Sequence, residues 1–208
     1  MLFRPVKTGK VLEKVYAVKV KMVNFFVYTD GESTICIDSG FKMNTTLREL
    51  KKINIDPKSV SHIFLTHSDI DHAGGIGLFK NAKIYLSADE EQMINGTTPR
   101  NLCFIYNKRI DRDYTLLMDN DIVNVGAIKV RAIATPGHTP GSMSYLVDDS
   151  ILFTGDMISL RKNRVTSLFR YVNMNNKKHN ASKMKLKEIE NISAVCTAHS
   201  GYSDRLNL

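Results

Sequence analysis

Thr66-His67-Ser68-Asp69-Ile70-Asp71-His72-Ala73-Gly74-Gly75 directly follows the apolar run Ile63-Phe64-Leu65. The apolar run reads as a short buried strand and the glycines open a helical segment, so the polar stretch is a strand-to-helix loop. Two histidines and two aspartates fall between His67 and His72. Alternate side chains of an extended segment point the same way, which puts His67, Asp69 and Asp71 in one row and aims His72 elsewhere. A row converging on one point, beside a neighbour aimed at another, can feed two adjacent cations. A helix cap at such a turn needs only one short polar side chain. Four candidate ligands exceed that need, and the loop reads as a metal site.

The segment His67-Ser68-Asp69-Ile70-Asp71-His72 resembles the HxHxDH loop of the metallo-β-lactamase-fold superfamily, with Asp69 where the family usually carries His. Five further stretches are similar to pieces of that family in the same order. They are Asn24-Phe25-Phe26-Val27-Tyr28 (its NxY strand), Ile37-Asp38-Ser39-Gly40 (its DxG turn) and Thr135-Pro136-Gly137-His138-Thr139-Pro140-Gly141-Ser142 (its PGHTPGS loop). Phe153-Thr154-Gly155-Asp156 resembles its strand ending in a bridging carboxylate, and Thr197-Ala198-His199-Ser200-Gly201 its last strand and final His. The resemblance implies an α/β fold of the metallo-β-lactamase type, an αββα four-layer sandwich, with residues 1–208 as a single domain. It implies one metal held by His67, Asp69 and His138, a second held by Asp71, His72 and His199, and Asp156 bridging them.

The replaced His of the family pattern binds through Nδ1, two bonds beyond Cβ. An Asp carboxylate oxygen sits at the same remove, so Asp69 is expected still to ligate. Asp69, Asp71 and Asp156 then set three negative charges against four from two divalent ions, leaving about one positive charge, where His would leave about two. Asp38 ends its strand either as a plain turn residue before Ser39-Gly40 or as acceptor for the second ring N–H of a ligating His, which outer carboxylates commonly are. His62 and His179 match no motif position and read as surface residues.

For activity the resemblance implies a metal-dependent hydrolase. A hydroxide between the two metals would attack an ester, thioester, lactone, amide or phosphodiester. Asp71 is expected to be catalytic, ligating the second metal and orienting the nucleophile or handling its proton. Two divalent metal ions are expected, zinc foremost, with iron or manganese suited to the carboxylates. One alternative is a non-haem diiron protein that binds, reduces or senses oxygen or nitric oxide. A nucleic-acid phosphodiesterase is suggested by charge alone, and the chain is short for a clamp domain, so nucleic acid is not the expected partner.

Around these motifs the composition is that of an ordinary globular chain. At 208 residues it is long enough for one substantial core. It contains no run near the roughly 18–20 apolar residues of a membrane span. The start of the chain lacks the continuous apolar segment of a signal peptide, and Cys36, Cys103 and Cys196 form no CxxC pair. Cys36 and Cys196 lie in apolar runs and read as small buried hydrophobes, consistent with a cytoplasmic protein. The net charge of +8 admits an anionic ligand. Arg161-Lys162-Asn163-Arg164 follows Asp156 closely, so Arg161 and Arg164 are candidates for holding an anionic part of a small-molecule substrate. Tyr106 and Tyr202 are candidate pocket residues. The chain ends soon after His199, which leaves room for an apolar face and a homodimer.

Alternation and turn signals predict strands over Lys14–Val20, Met22–Thr29, Thr34–Asp38, Ser61–Leu65, Ala82–Leu86, Asp121–Val125, Ile128–Ala134, Ser142–Val147, Ile151–Thr154 and Ser193–Ala198. Helices are predicted over Thr45–Lys52, Ala88–Met93 and Ser182–Glu190. The aperiodic stretch Gly96–Leu117 reads as a loop or lid over the site.

Overall fold

A computed structural model describes residues 3–100, 105–161, 164–166 and 170–204. The first part of the chain gives β1 (Gly9–Leu12), β2 (Val15–Val20), β3 (Val23–Thr29), β4 (Thr34–Ile37), α1 (Met43–Lys51) and β5 (His62–Phe64). There follow α2 (Ile70–Ala73), β6 (Lys83–Ser87), α3 (Glu91–Ile94) and β7 (Tyr114–Leu117). The seven strands form one sheet in sequence order, antiparallel as far as β4 and parallel from β4 to β7.

The second part gives β8 (Ile122–Val125), β9 (Ile128–Ala134), β10 (Met143–Val147), β11 (Ile151–Phe153), the hairpin β12 (Ser159–Arg161) and β13 (Arg164–Thr166), α4 (Asn176–Lys187), β14 (Ala194–Thr197) and β15 (Gly201–Ser203). Six of these strands make a second sheet, ordered β15-β14-β11-β10-β9-β8, in which β11 and β14 run parallel.

Period-two alternation sorts the apolar side chains into layers. Val15 and Ala17 of β2, Phe64 of β5, Tyr145 of β10 and Phe153 of β11 face one another in the core between the sheets. Val18 and Val20 of β2 and Ile63 of β5 pack outward with Leu50 of α1, Ile76 and Phe79. Leu146 of β10, Leu152 of β11 and Val195 of β14 pack outward against Leu186 of α4. Helix, sheet, sheet and helix thus form the four-layer αββα sandwich. Each fully buried aromatic such as Tyr145 or Phe64 contributes about 1.5–3 kcal/mol of transfer free energy.

Several boundaries differ from the sequence expectation. Helix α4 begins at Asn176, not Ser182, because the Asn175 side chain caps it by accepting from the Lys178 N–H. Its buried stripe, His179, Ser182 and Leu186, is largely polar and so invisible to a hydrophobic period. His179 is accordingly buried, not a surface residue, whereas His62 is partly exposed and stacks on Tyr85. Ala88–Met93 splits into a 3₁₀ turn over Ala88–Glu90 and the short α3. Tyr114–Leu117, expected within a loop, pairs with β6 as the sheet's last strand. Cys36 and Cys196 are buried, and burial pushes both thiols up. Cys103 lies outside the described residues.

Candidate metal centre

Parallel strands deliver their following loops to one edge of a sheet, and the two sheets bring those edges together. Asp38 follows β4, His67 to His72 follow β5, and Asp156 and His199 follow β11 and β14. His138 lies in the turn between β9 and β10. The Met143 N–H donates to the Thr66 carbonyl across the two sheets (2.8 Å), which locks the two loops together.

All seven expected ligands converge. Three groups have donor atoms within 4.8 Å of one another: His67, Asp69 and His138; His67, His72 and Asp156; Asp71, His72 and His199. Asp69 Oδ2 is 3.5 Å from His67 Nε2 and 3.3 Å from His138 Nε2. Asp156 lies 3.4 Å from His72 Nε2, 3.4 Å from His138 Nε2 and 3.2 Å from His199 Nε2. Asp71 Oδ2 is 3.7 Å from His72 Nε2 and 3.6 Å from His199 Nε2. Ligands bonded at about 2.1 Å to a tetrahedral ion stand roughly 3.4 Å apart. Although Asp69 precedes α2, its carboxylate makes no capping hydrogen bond.

The other ring nitrogens are held from outside. His72 Nδ1 is 2.8 Å from Asp38 Oδ2, and His199 Nδ1 donates to the Met22 carbonyl at 2.7 Å. His67 Nδ1 is 3.0 Å from Thr66 Oγ1, whose hydroxyl donates to Asp38. His138 Nδ1 lies 3.3 Å from Asn173 Oδ1. Such contacts fix the orientation of each ring, with Nε2 facing the cluster. His67 Nε2, His72 Nε2 and Asp156 Oδ1 are buried with no hydrogen-bond partner. An unpartnered buried polar atom is costly, and a cation among these three would satisfy them all.

The electrostatics point the same way. Burial would lower the His72 pKa, but Asp156, Asp71 and Asp38 outweigh it and hold the ring well above its ordinary value. His199 is raised against its burial chiefly by Asp156. Burial would raise the Asp156 carboxyl, yet His199 and His72 keep it well below the usual range. Burial opposes ionisation of Asp69 too, and the His138 and His67 rings beside it, with the Arg100 charge, hold it well below. The field favours positive charge at the centre of the cluster.

Arg161 and Arg164 face each other across the β12–β13 hairpin, both exposed, and neither makes a hydrogen bond or ion pair with the cluster among the described residues. Tyr106 is exposed, and Tyr202 packs against the inter-sheet core.

Three polar residues beyond those expected complete the surroundings. Arg100 Nε lies 2.8 Å from both Asp69 oxygens, and Asn107 Nδ2 donates to Asp69 Oδ1 at 2.9 Å. Glu90 is fully buried and accepts from Ser68 N–H, Ser68 Oγ, Thr139 Oγ1 and Gly141 N–H. It ties the loop of His67 to the loop of His138. Gly141 permits that approach, since a Cβ there would stand 2.1 Å from the Glu90 nitrogen. The start of the chain also reaches the cluster: the Phe3 ring lies 4.4 Å from that of His199, and the Arg4 N–H donates to the His199 carbonyl.

Two mixed sheets between helices, with a histidine–aspartate donor set at the strand ends, define the class: an αββα protein built around a metal-type site. The chain belongs to the Metallo-beta-lactamase superfamily, whose family model matches residues 18–199. It is 32% identical over 130 residues to "Probable polyketide biosynthesis zinc-dependent hydrolase BaeB" of Bacillus velezensis, covering 61% of this chain and 50% of that one. It is 27% identical over 176 residues to "Probable metallo-hydrolase MJ0296" of Methanocaldococcus jannaschii, covering 83% and 74%. The chain spans about half the length, or less, of the first curated relatives it matches. In fold it is similar to the solved structure described as "the First B3 Metallo-beta-Lactamase with an Active Site Glutamic Acid". That likeness has a TM-score of 0.74 and 20% identity, over 98% of this chain and 84% of that one. No helix among the described residues is long and apolar enough to cross a membrane.

Proposed function

We propose that this chain is a metal-dependent hydrolase acting on an ester, thioester or lactone bond of a small molecule, with the described residues working as one catalytic domain. The observation that carries the reading is the donor spacing of 3.2–3.7 Å around buried, unpartnered His67 Nε2, His72 Nε2 and Asp156 Oδ1. The relatives named as zinc-dependent hydrolase and metallo-hydrolase support it. His67, Asp69 and His138 form one candidate corner, Asp71, His72 and His199 the other, and Asp156 reaches both. Neutral imidazoles with carboxylates suit zinc first. When bound, such a cation polarises a carbonyl oxygen and lowers the pKa of water.

The chain's own residues do the rest. Asp38, Met22, Thr66 and Asn173 orient the four rings. Asp71, whose side chain is 33% exposed against 8% for Asp156, is the carboxylate best placed to orient an attacking water and take its proton. The Asp69 carboxylate favours a second reading, an iron-loaded centre.

Elemental analysis of protein purified without added metal, with assays on esters, thioesters, lactones and bis-nitrophenyl phosphate, tests both. Zinc, with hydrolysis lost on chelation and restored by zinc, is the expected result. Coloured iron protein without hydrolysis supports the second reading, and hydrolysis indifferent to chelators overturns the proposal.

A further inference from the structure

A positively charged side chain already occupies part of the donor cluster. Arg100 Nε meets both oxygens of Asp69 at 2.8 Å, and Arg100 Nη2 lies 3.0 Å from His138 Nε2, the nitrogen that faces the cluster. The guanidinium is anchored from outside as well: Nη2 donates to the Val172 carbonyl at 3.0 Å, and the Arg100 N–H donates to the Ile105 carbonyl. Its side chain is 17% exposed, so it is a held group and not a waving surface arginine. Asn107 takes a further lone pair of Asp69 Oδ1. A cation bonded to both Asp69 Oδ2 and His138 Nε2 would have to share its space with the guanidinium. The donor atoms left without partners are different ones, His67 Nε2, His72 Nε2 and Asp156 Oδ1.

Charge counting agrees. Asp69, Asp71 and Asp156 carry about three negative charges, which Arg100 and one divalent ion balance, whereas Arg100 with two divalent ions leaves about two positive charges in a buried site.

We propose that the guanidinium of Arg100 is the built-in counter-cation of the Asp69 corner. The centre therefore holds one divalent ion tightly, at the unpartnered donors of His67, His72 and Asp156, and admits a second only when Arg100 withdraws. This rests on the metal-centre reading of the preceding section and refines it. Arg100 acts here as a positioning residue: it holds Asp69 and directs the ion to the donors it leaves free.

Zinc stoichiometry and affinity, measured by calorimetry and elemental analysis after dialysis, test the idea without reference to activity. The wild type is expected to bind one equivalent tightly and a second at least about tenfold more weakly. Arg100→Met is expected to tighten that second equivalent by about tenfold or more. Asp69→Asn, which keeps the side-chain shape, should leave the first equivalent within about threefold, since its ion lies elsewhere. Two wild-type equivalents of like affinity, unchanged in Arg100→Met, overturn this inference alone. Loss of the first equivalent in Asp69→Asn also overturns it. No zinc bound by any of the three proteins overturns it together with the proposed function.

Discussion

Glu90 has four donors on two oxygens and no cationic partner among them. Glutamine in its place keeps the volume but turns an NH₂ toward groups that themselves donate. Each buried donor left unmatched costs about 1–3 kcal/mol, so Glu90→Gln is expected to lose about 2–3 kcal/mol of stability. Urea unfolding at constant zinc measures it, and an unchanged midpoint would show that the strut between the two loops is dispensable. Nothing in the local pattern marks Glu90: three residues into a short helical stretch, it reads as solvent-facing. Its partners lie 22 to 51 positions away in sequence. Arg100 and Asp69 are separated by 31 residues, with the same result. The candidate ligands from His67 to His72 are legible because they crowd into one loop, whereas a lone buried charge has no neighbours to announce it.

Helix α4 closes the second sheet from outside, and its His179 brings a titration into the layer. Burial pushes the His179 pKa down to about 4, and Lys183 and His138 push the same way, while the Met157 backbone and Asp156 resist. Its Nε2 has no partner among the described residues. In the unfolded chain the ring titrates near 6.5, so between pH 6.5 and about 4 the unfolded state binds more protons than the folded one. Stability is therefore full above about 6.5 and falls as pH drops through that window. Urea unfolding of metal-free protein across it should show an acid slope that is shallower in His179→Gln; parallel curves would count against a neutral buried imidazole. The helix was only half visible in the sequence because its inward stripe is His179, Ser182 and Leu186. The edge strands β1, β7 and β15 are three or four residues long, too short for alternation to stand out from a turn.

At the scale of the molecule, both sheets send loops to one centre, so an ion there bridges elements that are distant in sequence. Ligands that bind only the folded state stabilise it by mass action, by about 4 kcal/mol at a thousandfold excess over Kd. Zinc is expected to raise the melting temperature and a chelator to lower it reversibly. Calorimetry of both forms checks this, and coincident melts would mean that the centre binds nothing in the native state. The layering was readable because Val15 and Ala17 alternate with Val18 and Val20 in one strand and the same rule holds in Phe64 and Ile63. The candidate metal loops were readable because the motif pieces keep their order along the chain. The stretch from Gly96 to Leu117 was readable only as an absence of period, since Arg100 and Asn107 reach Asp69 across 31 and 38 positions of chain. The contact of Phe3 and Arg4 with His199 has a practical corollary. A polyhistidine purification handle fused ahead of Phe3 would emerge beside the centre and lend it foreign imidazoles, so metal should be counted on protein from which any such handle has been cleaved.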